Sequence, residues 1–298
     1  MKSHKLTFLS LLMLGSVSLS ACYVDLGFIH FGEPDGETNT ADGKLIYDEK
    51  AQLAHIAEYY ETIDTSLSGQ ALLNDLKALN VSSRKTLVTY SAMGTSSNGK
   101  FKFTDYDPST VKFNSDGIPY GTKILSFYSG KSTNTFNREH VWPNSRNGNA
   151  IEDDIFMPRP TVAEENSDRG NSIYKTGMAT EYDGWDPVTA FGNTIGNYEG
   201  IRGECARIIF YCMTAASGLV LNEVTANNRN NMGSLTNLVE WACDNPVNMR
   251  EKRRQVGGEY LQGNRNAFVD HPEYVCKIWG GTNEATKAAC QRANYAIN

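Results

Sequence analysis

The 298-residue chain reads as an α+β protein, mostly helical, with short strands gathered in its first half. Three observations predict that class. Apolar residues recur at helical spacing in separate runs along the chain. Short stretches rich in β-branched and aromatic residues lie between Asn, Asp, Gly and Pro turn signals. Near residue 140 an extended segment, a loop and a helical segment follow one another.

The elements follow in order. Tyr23 to Lys44 is rich in Gly, Asp, Glu, Asn and Thr and reads as a spacer. Leu45, Ile46, Leu53, Ile56, Tyr60 and Ile63 predict a helix over 45–63. Ser68-Gly69 interrupts it, and 71–79 resumes a helical run. Thr86 to Tyr90, Lys100 to Phe103 and Ile124 to Tyr128 predict extended pieces. Asp105, Asp107-Pro108 and Asn114-Ser115-Asp116-Gly117 mark the turns between them. Pro143 and Asn147-Gly148-Asn149 make a loop. Thr161 is the expected N-cap of a short helix carrying Asn166, with Glu164 completing a capping box. Further helices are predicted over 204–216, 235–242 and 247–258. Arg250-Glu251-Lys252-Arg253-Arg254 is a basic stretch that either extends a binding groove or forms a solvated face.

The N-terminus has the form of an export signal. Lys2, His4 and Lys5 precede an apolar run, Leu6 to Leu14, too short to span a bilayer. Leu19-Ser20-Ala21-Cys22 resembles a lipobox, which implies acylation at Cys22 and attachment to a membrane by more than one chain. Removing 1–21 leaves about 277 residues, enough for a sizeable core. The net charge of −6 is uneven: residues 22–64 alone carry −8. A body of near-zero charge can still present a basic face, so the balance does not exclude a polyanionic partner. Five cysteines remain after Cys22, so at least one thiol stays unpaired. Cys205 and Cys212 share a predicted helix roughly 10 Å apart, too far to bridge. Cys276 and Cys290 can pair, though their spacing does not select it. No Cys-x-x-Cys zinc pattern is present.

The informative stretch is Asn137-Arg138-Glu139-His140-Val141-Trp142-Pro143-Asn144-Ser145. On an extended segment Glu139 and His140 point to opposite faces, so one can hold a cation while the other addresses another part of the same substrate. Phosphodiester attack needs both a cation on the phosphate and a base for the water. The stretch resembles the signature of the bacterial endonuclease I family. Three further blocks resemble it in the same order: Pro158 through Glu164-Glu165-Asn166-Ser167-Asp168-Arg169-Gly170-Asn171, then Arg202-Gly203-Glu204-Cys205-Ala206-Arg207 with Phe210-Tyr211-Cys212-Met213, then Gln262-Gly263-Asn264-Arg265-Asn266-Ala267-Phe268-Val269-Asp270-His271-Pro272-Glu273. A weaker likeness begins near Tyr59-Tyr60, so the resemblance covers roughly 58–280.

That resemblance implies a ββα-metal (His-Me finger) core in an α+β fold, and a non-specific endonuclease acting on DNA and RNA to leave 5′ phosphates. His140 is then the general base. Glu139 and Asn166 hold one Mg²⁺ per site, with Ca²⁺ or Mn²⁺ as substitutes, as hard oxygen donors would. Arg138, Arg146, Arg169, Arg207 and Arg265 are the expected phosphate contacts. The organisation expected is a signal over 1–21, an acidic tether over 22–44 and one catalytic domain over 45–298, monomeric and lipid-anchored outside the cytoplasm, or secreted. The alternative is a surface lipoprotein that binds nucleic acid without cutting it. The chain departs from the family pattern at Asp154-Ile155-Phe156-Met157, where a histidine usually follows an acid-Leu pair.

Overall fold

The computed structural model describes residues 39–177, 184–191, 200–223 and 231–297. The expected signal, the lipidation site at Cys22 and most of the tether lie outside the described residues. The described residues belong to one compact unit. No described helix is long and apolar enough to cross a membrane.

The strands are β1 (Thr40–Ala41), β2 (Lys44–Leu45), β3 (Val111–Phe113), β4 (Pro119–Gly121), β5 (Ile124–Leu125), β6 (Ser132–Thr133), β7 (Asn137–His140), β8 (Pro158–Thr161), β9 (Ile173–Tyr174) and β10 (Gly184–Trp185). They form two-stranded pairs in the order β1-β2, β3-β4, β5-β6, β7-β8 and β9-β10; the last is parallel and the others antiparallel. The helices are α1 (Glu49–Tyr59), α2 (Gly69–Ser83), α3 (Tyr90–Met93), α4 (Ala163–Arg169), α5 (Pro187–Phe191), α6 (Ile201–Ala215), α7 (Leu235–Asp244), α8 (Met249–Gln262), α9 (Ala267–Asp270), α10 (Tyr274–Trp279) and α11 (Glu284–Arg292). The fold is α+β, as the sequence predicts.

The core centres on α6. Its apolar residues are buried around most of its circumference, including Cys205, Ile209, Phe210 and Cys212. A helix apolar on nearly every side belongs inside, and α6 packs against α2, α7 and α9. Cys205 and Cys212 are free thiols on this one helix, while Cys276 and Cys290 are disulfide-bonded and staple α10 to α11.

The long helices lie where their periodicity puts them, with edges set by caps. α1 starts after Asp48, whose Oδ1 accepts from Ala51 N at 3.0 Å, so residues 45–48 leave the predicted helix. Asn248 and Glu251 form a capping box that starts α8. The extended predictions fare less well. Residues 86–89 pair with no strand and lead into α3, and Lys100–Phe103 is a 3₁₀ turn that buries both Phe101 and Phe103. Ile124 to Tyr128 is strand only at Ile124–Leu125. Thr161 does not cap α4: the cap is Val162, because Thr161 Oγ1 donates instead to the buried Glu165 carboxylate at 2.8 Å.

Candidate active site

β7 and β8 pair with Glu139 opposite Arg159 and His140 opposite Pro158, and α4 follows β8 directly. Strand alternation divides β7 as the sequence requires. Glu139 faces inward and is buried, while Arg138 and His140 share the other, half-buried face.

On the inner face, Tyr128 Oη donates to Glu139 Oε1 at 2.7 Å and Arg169 Nη1 donates to the same oxygen at 3.0 Å. Glu139 Oε2 makes no hydrogen bond among the described residues. Burial pushes the Glu139 carboxyl above the usual range, while Arg169 and Tyr128 act the other way. A buried carboxylate whose single counter-charge engages one oxygen still has a lone-pair set to offer a cation.

α4 is pinned at two places. Glu165 accepts from Ser126 Oγ at 2.7 Å, Thr161 Oγ1 at 2.8 Å and Ser129 Oγ at 2.5 Å. Arg169 donates to Glu139, to His140 O at 2.7 Å and to Val141 O at 2.8 Å, with its guanidinium over the Tyr174 ring. Asn166 lies one turn before Arg169 on the same helix face. It is half-buried, and its side-chain amide makes no hydrogen bond among the described residues. Helix α4, which packs against β7, therefore carries an amide with no hydrogen-bond partner among the described residues.

On the outer face, the Tyr90 ring packs against both neighbours: the Arg138 guanidinium lies 3.8 Å from its centroid, and the His140 ring 4.7 Å away. Arg138 Nη1 donates to Tyr90 O at 2.6 Å, and Tyr90 Oη donates to Arg138 O at 3.2 Å. His140 Nε2 lies 3.2 Å from Glu152 Oε2, and its Nδ1 lies 3.3 Å from Tyr90 Oη. A carboxylate can only accept, so Nε2 carries the proton in the neutral ring and Nδ1 holds the lone pair. Burial is the main cause that holds His140 below the ordinary imidazole value; Glu152 opposes it, and Arg169 and Arg138 add to it. The ring is therefore kept neutral with one nitrogen oriented and the other basic.

The three consecutive acids after the motif have three different partners. Glu152 meets His140, Asp153 accepts from Tyr90 N at 2.6 Å, and buried Asp154 accepts from Tyr211 Oη at 2.8 Å. The loop carrying them is anchored by buried Trp142, whose Nε1 donates to Arg146 O at 2.7 Å. It closes tightly at Gly148, where a Cβ would come 2.0 Å from Trp142 O.

Of the five arginines expected to grip phosphate, only Arg138 lies on a half-exposed face. Arg146, Arg169, Arg207 and Arg265 are buried. Arg146 donates to Asn171 O and Asn231 O. Arg207 clasps Glu251 through two 2.6 Å bonds, and Arg265 clasps Asp270 at 2.7 and 2.8 Å. These four guanidiniums serve the fold, since a phosphate would have to displace buried partners to reach them. The basic stretch of α8 is likewise internal, with Arg250, Arg253 and Arg254 buried and Lys252 alone facing outward to Glu49. Tyr90 and Glu152, which orient His140, carried no sequence signal of their own.

Comparison with known proteins shows the family to which the chain belongs. A family model described as Endonuclease I matches residues 68–273, a span that contains all four motif blocks. An extracellular ribonuclease of Bacillus subtilis (strain 168) is 31% identical over 252 residues, covering 77% of this chain and 81% of that protein. An extracellular ribonuclease of Bacillus amyloliquefaciens is 36% identical over 172 residues, covering 51% of this chain and 56% of that protein. The chain thus spans little more than half of the latter relative's length. No solved structure matches.

Proposed function

We propose, from the premise that this chain belongs to the endonuclease I family, that it is a metal-dependent nuclease cutting RNA and DNA without sequence preference. The observation that carries the reading is the divided β7 strand: a neutral, oriented imidazole on one face and a buried carboxylate with one unengaged oxygen on the other. Strand β7, strand β8 and helix α4 would then form the ββα-metal core.

The donor set fits a hard cation. Glu139 Oε2 and the Asn166 amide oxygen are both without hydrogen bonds among the described residues, and a site of one carboxylate and one amide suits Mg²⁺, Ca²⁺ or Mn²⁺. Such an ion, when bound, offsets negative charge on the phosphate and on the departing 3′ oxygen. The remaining roles belong to the chain. His140 Nδ1 takes a proton from the attacking water, and Glu152 accepts Nε2–H and stabilises the imidazolium that forms. Tyr90 holds the ring by a tilted aromatic contact, with its own hydroxyl proton directed to Arg138 O. Arg169 keeps Glu139 Oε1 engaged, so that Oε2 is the oxygen presented. Arg138 contacts a backbone phosphate. Products carry 5′ phosphates.

The names of the two Bacillus relatives support RNA as a substrate and release outside the cell as a location. The lipobox-like Leu19-Ser20-Ala21-Cys22 supports a chain tethered by acylation at Cys22, with the acidic segment to residue 44 as spacer. The nuclease reading is tested with plasmid DNA and a single-stranded RNA in Mg²⁺. Cleavage of both is expected, with loss in excess EDTA and in His140→Ala; full activity in either condition would overturn it. Fatty-acid labelling of cells expressing wild type or Cys22→Ser tests the anchor. Equal labelling of the two would exclude it.

A further inference from the structure

Away from β7, the helices α7, α10 and α11 bring three sulfur atoms together. Cys276 and Cys290 are bonded to each other, and Cys243 on α7 is a free thiol whose Sγ lies 3.4 Å from that of Cys276. All three Sγ atoms lie within 4.8 Å of one another. The cluster is held by rigid elements, since α7 packs along α6 and α11. Gly280, just after α10, makes room for it: a Cβ there would come 2.8 Å from Cys290 Sγ.

Thiol–disulfide exchange does not account for the placement. In-line attack on Cys276 would put the outer two sulfurs about 5.4 Å apart, given a usual S–S bond, whereas the three atoms form a closer triangle. The Cys243 thiol is also pushed up to about 12 by burial and by Asp244, with Glu240 adding and Arg292 and Arg207 opposing. A thiol held there is a poor nucleophile at neutral pH.

We propose that, once the Cys276–Cys290 bond is reduced, Cys243, Cys276 and Cys290 form a three-thiolate site for one soft cation, Zn²⁺ or Cu⁺. A dithiol reductant supplies two electrons and two protons to the bond, giving two thiols and leaving as a cyclic disulfide. The cation then displaces one proton from each of the three thiols, so binding overcomes the resistance of burial to a bare thiolate. Zinc–sulfur bonds of about 2.3 Å at tetrahedral angles separate sulfurs by about 3.8 Å. That spacing lies within the span already present. Three thiolates select soft cations over Mg²⁺. The site exists only in the reduced chain, because the disulfide withdraws two of its three donors.

The test uses the full chain, reduced with dithiothreitol and desalted, then titrated with Co²⁺ as a spectroscopic probe. One equivalent should give an intense thiolate-to-cobalt charge-transfer band that Zn²⁺ bleaches. The unreduced chain should show no band, and Cys243→Ser at least a tenfold loss of affinity. Oxygen ligation at Glu139 and Asn166 gives no such band, so this result is independent of the nuclease reading. Zn²⁺ should also raise the melting temperature of the reduced wild type but not of reduced Cys243→Ser, whose unreduced form should melt like wild type and so prove folded. No band in the reduced wild type, or an equal band in Cys243→Ser, overturns the proposal.

Discussion

The α6–α8 interface and the β7–β8–α4 segment use the same residue types in opposite ways. At the interface, Arg207 meets both oxygens of Glu251, Arg159 lies between Asp105 and Glu204, and Arg254 reaches Asp105 and the carbonyl of Ile155. These charges answer one another inside the fold, where a half-made pair would cost several kcal/mol. At β7 the pairing is left incomplete: Glu139 meets one arginine through one oxygen, Asn166 leaves its amide unbonded, and His140 keeps one nitrogen basic. At the interface each carboxylate faces at least one guanidinium deep in the core, whereas on β7 the imidazole remains half-exposed and open to a partner from outside.

That contrast can be broken or sharpened by substitution. His140→Ala should reduce cleavage by about 10²–10⁴-fold, the usual worth of a positioned base, while the melting temperature stays near wild type. A large loss of stability would put His140 with the structural group instead. Arg207→Met should do the converse. Leaving Glu251 buried without its partner costs about 3–5 kcal/mol, read by denaturant titration, and activity per folded molecule should survive. If activity vanished with stability intact, Arg207 would rejoin the phosphate contacts.

Glu152→Gln tests the orientation of the imidazole. Burial depresses the His140 pKa, so the base stays neutral to lower pH than a free histidine, and kcat/KM should remain level as pH falls past about 6.5. Glu152 is among the groups that raise this pKa, so the variant's His140 limb should move further toward acid, with kcat about tenfold lower. A limb displaced toward alkaline pH would refute the assignment. Protonation of Glu139, itself pushed up by burial, limits activity from the same acid side and should respond little to the change. The smallest effect is expected for Arg138→Ala: a few-fold rise in KM and a salt dependence shallower by about one phosphate contact, seen in rates measured across ionic strength.

The opposed placement of Glu139 and His140 was legible because β7 is a strand with a two-residue period, so the pair had to straddle it. The short helix that carries Asn166 was also legible, although its cap was not. The arginines were not, since a guanidinium within a motif reads alike whether it faces phosphate or Asp270. Only the depth of each guanidinium decides, and depth arises from packing among distant segments. Tyr90 lies 50 residues before its histidine, at a position where the sequence predicts only the end of an extended piece. Without a neighbour to pair with, residues 86–89 stayed unpaired and the chain turned into α3. Thr161 failed as a cap for a similar reason: Glu165, buried with no cation beside it, draws the hydroxyls of Ser126, Ser129 and Thr161 to itself. Local cap chemistry lost to a tertiary demand.

Tyr90, His140 and Glu152 reach one another from three segments fastened to the interior before any substrate arrives. Ordering a residue's backbone costs roughly 1–2 kcal/mol, and here folding has already met that cost. A polynucleotide landing in any register therefore encounters an imidazole already aimed. On the proposed reading no particular run of bases has to assemble the machinery, and indifference to sequence follows from rigidity.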